Sequence, residues 1–448
     1  MTSSVAEFIQ RRQCRAWLDR PCVSAFSGAG LSDIGYELAG FAFKVQCESD
    51  PHRAELGKSN FPDSEWVIGD VREVCDEVIA KYRQQIGNER PALMCVTPPC
   101  QGMSSSNPGR GKISSPEESD HRNTLLLESL LLAARLEPRI VAAENVAPLL
   151  NRVVKWRGKT KTVAKAFVDG LSDYRVFAGV VEMADYGIPQ MRKRSVIVAI
   201  HKDEPILSRL EAKKLLPWPR PTHAENPTFD HATWVTLEEW FKEMKYPALD
   251  ARTRPAAPNL PLHAVPPYPA GDRRYEMITD IPPRSGRNAY SNSTCPSCRR
   301  NSIPRDTAYC PHCGGVLTNR PIVQDDDGTW RLIKGFESSY RRAAPNRPAP
   351  TVTTNSSHLG SDNKIHPWEN RVMSTLECAD LQTVPRFYDW TWGLSTRHNY
   401  VIRNAIGEAL PPYFTYLHGK VLAKMLDGNL PESKLSRAGI DGQGRPLG

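Results

Sequence analysis

The strongest chemical signal in the chain is Cys100, within VTPPCQGMSSSNPGRG at 96–111. It follows an apolar run and sits between a Pro-Pro pair and a Ser/Gly-rich stretch, so a rigid turn projects its sulfur toward a loop rather than into a core. That is where a nucleophile belongs. Cys14, Cys22, Cys47, Cys75, Cys95 and Cys378 lack this context and read as small buried side chains. A second signal is FSGAGLSDIG at 26–35, where Gly28 and Gly30 let backbone N–H groups approach a ligand. Glycines alone also make plain turns; Glu48 changes the odds. It ends the next β-rich run, and a carboxylate there can accept both hydroxyls of a ribose. Asp70, after the third run, is placed for an adenine amine. A third signal is AAENVAPLL at 142–150, where Glu144 ends an apolar run and needs a cationic partner to remain charged. YGIPQMRKR at 186–194 supplies candidates: Arg192 and Arg194 alternate onto one face of an extended run, whereas Lys193 reads as surface charge.

A fourth signal is separate from these. Cys295, Cys298, Cys310 and Cys313 form two CPxC pairs, and two tight turns with two sulfurs each suit tetrahedral zinc. Gly314 and Gly315 permit the sharp exit from the second pair, and His312 reads as a bystander. The expectation is a minimal two-strand zinc ribbon at 295–313 with closed coordination, structural rather than catalytic. Disulfides are the competing reading, disfavoured in a reducing compartment.

Strands are predicted at 22–26, 41–46, 66–69, 92–96, 140–145, 176–183 and 195–200, with a sheet-packing helix in 121–136. That alternation predicts a doubly wound parallel α/β sheet over 1–200, with the chemical residues at strand ends. Eleven prolines between 217 and 269 then leave little room for long helices, so 201–394 is expected to be a separate, mostly irregular domain. A C-terminal segment, 395–448, with a helical stretch at 413–428, is expected to return to the first domain. A chain of 448 residues accommodates two or three such units. No apolar run is long enough for a membrane span, and the first residues lack a secretory leader, so a cytoplasmic protein is expected.

FSGAG, PPCQGMS, ENV and QMRKR, in that order, resemble the C5-cytosine DNA methyltransferase family. DHRNTLL (120–126), RPAPTVTT (347–354), RVMSTLECADLQTVP (371–385) and AIGEALPP (405–412) extend the resemblance over nearly the whole chain, except the proline-rich middle. It implies a Rossmann-like sheet dependent on S-adenosylmethionine, a target-recognition domain, and base flipping in duplex DNA. It also implies that Cys100 adds to cytosine C6, that Glu144 acts at N3, and that Arg194 binds O2 and orients Glu144, with Arg192 beside them. For the cofactor it implies Phe26 on the adenine, Gly28 and Gly30 on the methionine side, Glu48 on the ribose, Asp70 on the adenine edge and Leu125 packed alongside. Glu408 and Ala409 stand where the family carries Asn-Ala near the methionine end. Ser24 stands where many members carry an acid.

Net charge is +8, a modest excess that suits a polyanionic partner. The resemblance implies double-stranded DNA, with the Gln101–Arg110 loop, including Ser104, closing over the flipped base. The acid-free run at 151–166, with Lys155, Arg157 and Lys159, is expected on phosphates. Arg284, Arg287, Arg299, Arg300, Arg305, Lys334, Arg341 and Arg342 are expected to read bases. The resemblance further implies a monomeric prokaryotic or phage modification enzyme, partnered by a separately encoded endonuclease where a restriction–modification system is present. An RNA cytosine-5 methyltransferase and a non-catalytic DNA-binding protein on the same scaffold stay open as alternatives.

Overall fold

The computed structural model describes residues 3–12, 19–99, 125–227, 229–335, 338–360, 364–396 and 400–437, and the backbone alone at 445–447. Cys100, Gln101, Ser104 and Arg110 lie outside the described residues, as do Cys14 and residues 121–124 of the expected helix.

The fold is mixed α/β around a central parallel sheet. Its strands are β1 (Arg20–Ala25), β2 (Phe41–Glu48), β3 (Glu65–Ile68), β4 (Leu93–Val96), β5 (Ile140–Val146), β8 (Tyr174–Glu182) and β9 (Lys193–His201). The hairpin strands β6 (Val153–Trp156) and β7 (Lys159–Thr162) stand outside it. The order is β8-β9-β5-β4-β1-β2-β3, with Arg445–Leu447 added beside β8. Strands β3, β2, β1, β4 and β5 are mutually parallel. A wholly parallel sheet was the expectation from sequence, and the structure corrects it: β9 runs antiparallel to both β5 and β8. The physical reason is the connection from β8, which is only Met183–Arg192 with one 3-10 turn, too short for a parallel crossover.

Alternation along each strand splits the apolar side chains between two layers. Cys22, Phe43, Leu93, Cys95, Ala142, Val196 and Val198 face a core shared with α2 (Leu31–Leu38) and the C-terminal helix Pro412–Leu426. Val23, Val45, Met94, Val96, Val141 and Ile197 face the other, with α4 (Val71–Ile86), α5 (Leu125–Leu136) and α6 (Val163–Gly170). Between them α3 (Pro51–Lys58) starts on Asp50, which accepts from the His52 and Arg53 amides, with Pro51 supplying a preset φ. The chain reverses its direction across the sheet between β1 and β4, which opens a crevice at their carboxyl ends.

After β9 regular structure thins out. Residues 206–241 and 373–425 bury Trp218, Trp240, Met373, Leu381, Phe414 and others in the same core as the sheet. A second cluster, from Leu249 to Val372, is a small core of its own, and Cys295, Ile303, Cys310 and Leu317 form a third. With few ladders to satisfy backbone carbonyls, this region uses arginines. Buried Arg342 donates to the carbonyls of Ile278, Ile281, His366 and Glu369, and Arg320 to those of Asn292, Ile303, Pro304 and Thr307. Arg342 is therefore not available to read bases, contrary to the sequence reading: its whole side chain is enclosed. None of the described helices is long and apolar enough to cross a membrane.

Candidate active site

The crevice between β1 and β4 widens into a cleft of about 1170 Å³ that gathers all but one of the described residues expected in catalysis or cofactor binding. Phe26, Gly28, Glu48, Asp70, Leu125, Glu144, Arg192, Arg194, Glu408 and Ala409 all line it, as do Pro98 and Pro99, which lead directly to Cys100. Gly30 does not line the cleft. The hairpin basics, the four paired cysteines and the arginines and lysine expected to read bases also lie elsewhere.

The floor is cross-tied at the strand ends. Thr97 Oγ1 donates to the Phe26 carbonyl at 3.0 Å, joining the β4 exit to the glycine loop. Asn145 Nδ2 donates to the Pro98 carbonyl at 2.9 Å, and its Oδ1 accepts from the Val146 amide. Asn145 thus fixes the turn beside Glu144 and the platform preceding Cys100 in one step. Phe26 takes a positive φ of 62° to present the loop, a conformation uncommon for a bulky residue.

The two glycines differ in their reasons. Gly28 has φ 57°, open space where a side chain would begin, and an amide that donates to Glu48 Oε2 at 2.8 Å. Gly30 has φ 73°, and a Cβ there would come within 2.4 Å of the Phe61 ring. Its positive φ and its close packing against Phe61 together demand glycine at 30. Glu48 also accepts from the Asp50 amide at 2.9 Å, which points its carboxylate into the cleft wall. Asp70 caps α4 through the Arg72 amide and pairs with the Arg72 guanidinium at the rim.

Glu144 and Arg194 meet across paired β5 and β9, with Arg194 Nε 2.7 Å from Glu144 Oε1. The approach leaves Oε1 without a well-aligned hydrogen bond, although the guanidinium still acts on it through charge and hydrogen bonding. Burial raises the Glu144 pKa above its ordinary value, opposed by the charges of Arg194 and Arg192. Arg192 does a different job from the one expected beside Arg194. Enclosed at 1% exposure, it donates to the carbonyls of Val352, Gly407 and Glu408, stitching two later segments onto the sheet edge. The adjacent Gln190 and Met191 hold the same strap: Gln190 Oε1 accepts from the Val352 amide, and Thr351 Oγ1 donates to the Met191 carbonyl.

Two departures from the family pattern find local answers. Ser24 donates to Asp33 Oδ1 at 3.1 Å and Gln46 to Asp33 Oδ2 at 2.9 Å, so an acid reaches the Ser24 position from the next helix. Burial pushes the Asp33 pKa up to about 7, against those two hydrogen bonds. Glu408 is paired with Arg53, at 2.8 Å. Neither Arg53 nor the wall segment Pro350–Asn355 was assigned to the cleft from sequence. RPAPTVTT was noted only as part of the resemblance, and Arg53 in PHRAELGK looks like any exposed helix cation.

The basic run at 151–166 folds as a hairpin, β6–β7, that leads into the first turn of α6, and the hairpin is closed by Arg157 and Gly158, both at positive φ, as a two-residue turn requires. Arg157 lies over the Trp156 ring at 4.4 Å, and Lys155, Arg157 and Lys159 are exposed, while Lys161 and Lys165 pair with Asp169. The four cysteines of the CPxC pairs converge, their sulfurs all within 4.8 Å of one another and two pairs at 3.8 Å. The Cys298 amide turns toward Cys295 Sγ and the His312 amide toward Cys310 Sγ. Arg299 and Gly314 take matching left-handed φ values of 61° and 72° after each pair. The expected two-strand ribbon is reduced to a single bridge, Tyr309 with Val316, because carbonyls between the pairs are taken by Arg320 rather than by a ladder.

An open α/β sheet with a cleft at its reversal point, an acid at the end of its second strand and a buried glutamate–arginine pair beside it has the layout of a nucleotide-binding α/β protein. The chain belongs to the C-5 cytosine-specific DNA methylase family, whose profile matches residues 21–423. It is 25% identical over 402 residues to the Type II methyltransferase M1.HgaI of Avibacterium volantium, covering 87% of this chain and 94% of that one. It is 24% identical over 425 residues to the Type II methyltransferase M.Sau96I of Staphylococcus aureus, covering 94% and 80%. Among solved structures, an E. coli prophage protein assigned as a DNA modification methyltransferase superposes with a TM-score of 0.52 at 20% identity, over 91% of this chain and all of that one, which establishes the shared fold.

Proposed function

We propose that the protein is a DNA (cytosine-5-)-methyltransferase, the modification component of a Type II restriction–modification system in a prokaryote or phage. The observation that carries this reading is the buried Glu144–Arg194 pair, set in one cleft with Glu48, the glycine loop and the Pro98–Pro99 lead into Cys100. Cytosine C5 is a poor nucleophile, so the Cys100 thiolate adds to C6 of a flipped-out base and makes C5 enamine-like. Glu144, whose proton is favoured by burial, hydrogen-bonds N3 and keeps negative charge off the ring. Arg194 contacts O2 while holding Glu144. S-adenosylmethionine, when bound, supplies the methyl group. Removal of the C5 proton then restores the 5,6 double bond and expels Cys100. The donor set suits the cofactor: an acid for the ribose in Glu48, Asp70 at the rim, and apolar Phe26 and Leu125 for the adenine.

The Cys295–Cys298–Cys310–Cys313 cluster is read as a structural zinc site organising the region that reads bases. A tetrahedron with Zn–S bonds of about 2.3 Å has edges of about 3.8 Å, and two sulfur pairs stand at 3.8 Å. Exposed Lys155, Arg157 and Lys159 are assigned to phosphates, and the Gln101–Arg110 loop, with Ser104, to the clamp over the flipped base.

The test is transfer of labelled methyl from S-adenosylmethionine to duplex DNA of varied sequence, with transfer RNA as the competing substrate and bisulfite sequencing to locate the product. Incorporation at cytosine in DNA, abolished by Cys100→Ser and trapped covalently by 5-fluorocytosine at the target, is expected. Methylation of RNA alone, or turnover unaffected by C100S, overturns the reading. Metal analysis is expected to find about one zinc per chain, lost in C295S and C313S together with site-specific binding.

A further inference from the structure

Where the family pattern has a neutral Asn, this chain places Glu408, and the structure gives that acid a partner from a distant element. Arg53 Nη2 donates to Glu408 Oε1 at 2.8 Å across the cleft wall. The same guanidinium lies 4.0 Å from Glu48 Oε1 and 3.7 Å from Asp50 Oδ2, so a single arginine serves three acids. Its Nε is buried with no hydrogen-bond partner among the described residues, leaving donor capacity unspent beside the cavity. Arg53 and Glu408 are both mostly enclosed, at 18% and 26% side-chain exposure, and both line the cleft beside Ala409 and the glycine loop.

We infer that Arg53 and Glu408 form a charged pair that recognises the amino-acid end of the cofactor as a zwitterion, Glu408 accepting from its ammonium and Arg53 donating to its carboxylate. The inference rests on the cofactor reading above. A zwitterion presents one charge of each sign a few ångströms apart, and a preformed Glu–Arg pair is its complement without placing like charges together. It also removes the repulsion that an unpartnered Glu408 would exert on the cofactor's carboxylate. Three acids around one arginine leave local negative charge, which suits a ligand carrying a sulfonium as well as an ammonium.

The discriminating measurement is calorimetric binding of S-adenosylhomocysteine and of 5′-methylthioadenosine, which keeps the nucleoside and lacks the amino acid. Arg53→Gln and Glu408→Gln are each expected to weaken S-adenosylhomocysteine about tenfold or more, as for loss of a charge-assisted hydrogen bond, and to leave methylthioadenosine within about twofold. Retained methylthioadenosine binding also shows that the variants fold. Equal weakening of both ligands, or no weakening of either, overturns the pair's role and assigns it to structure alone. Failure of the parent protein to bind either ligand overturns the cofactor reading itself, and this inference with it.

Discussion

Two buried glutamates, each facing an arginine, are tuned in opposite directions. In the cleft, Glu144 meets Arg194 through one poorly aligned contact, and burial leaves its pKa raised. In the region after the sheet, Glu377 accepts two parallel bonds from Arg371 at 2.7 Å each and another from the Ser374 amide at 2.7 Å, closing a capping box. Although burial opposes it, the arginine's charge and hydrogen bonds hold the Glu377 pKa down to about 2. The contrast teaches that an acid–arginine pair is not one kind of object. A saturated pair is a fastener, whereas one left short of hydrogen bonds keeps a proton within reach and can do chemistry.

The comparison breaks first on activity. Glu144→Gln is expected to lower methyl transfer by about 10²–10⁴-fold while leaving the protein as stable as the parent, or more so, at pH 8. The sign follows from the raised pKa: stability from Glu144 is present below its unfolded-state value and lost as pH rises through the folded value. Turnover close to the parent's, or a melting temperature well below it at pH 8, would sink the assignment of Glu144 as the poised acid.

Next in size, Arg371→Met is expected to destabilise the protein by about 3–5 kcal/mol, because it strands a buried carboxylate. Urea unfolding checks it, and a loss under about 1 kcal/mol would mean that Glu377 finds another partner. The same pair predicts a pH dependence opposite to that of Glu144. Stability from Glu377 is present above the ordinary carboxylate range and lost as pH falls toward about 2. The gap between parent and Glu377→Gln is therefore expected to be full at pH 6 and to narrow on acidification; a gap constant with pH contradicts the depressed value.

The smallest effect belongs to neither pair. Arg157→Gln and Lys159→Gln, on the exposed turn of the hairpin, are expected to reduce the slope of log affinity against log salt by about 1 each and leave sequence preference intact. An altered sequence preference would instead place this turn on the bases.

Glu48 at the end of β2, Glu144 two residues before the end of β5, and Arg194, just inside β9, were legible because the alternation that builds a buried strand also fixes where it ends, and a parallel sheet gathers its carboxyl ends along one edge. The cysteine pairs were legible for a similar local reason, since each CPxC turn is complete within a few residues. Arg192 and Arg194 show the limit. Two residues apart, they looked equivalent, yet Arg194 reaches Glu144 while Arg192 is consumed by carbonyls of Val352, Gly407 and Glu408, 160 residues and more away.

The sequence by itself thus determined the parallel part of the sheet, the strand-end positions of these side chains and the family, because these follow from periodicity and from short contiguous motifs. Tertiary structure alone decided that Gly30 answers to Phe61, that Asp33 fills in for an acid absent at Ser24, that Arg342 holds a fold together rather than facing DNA, and that Arg53 stands against Glu408. The physical reason is common to all four. A charge or a bare Cα has no fixed meaning until its partner is known, and these partners come from other elements, as far as 355 residues along the chain.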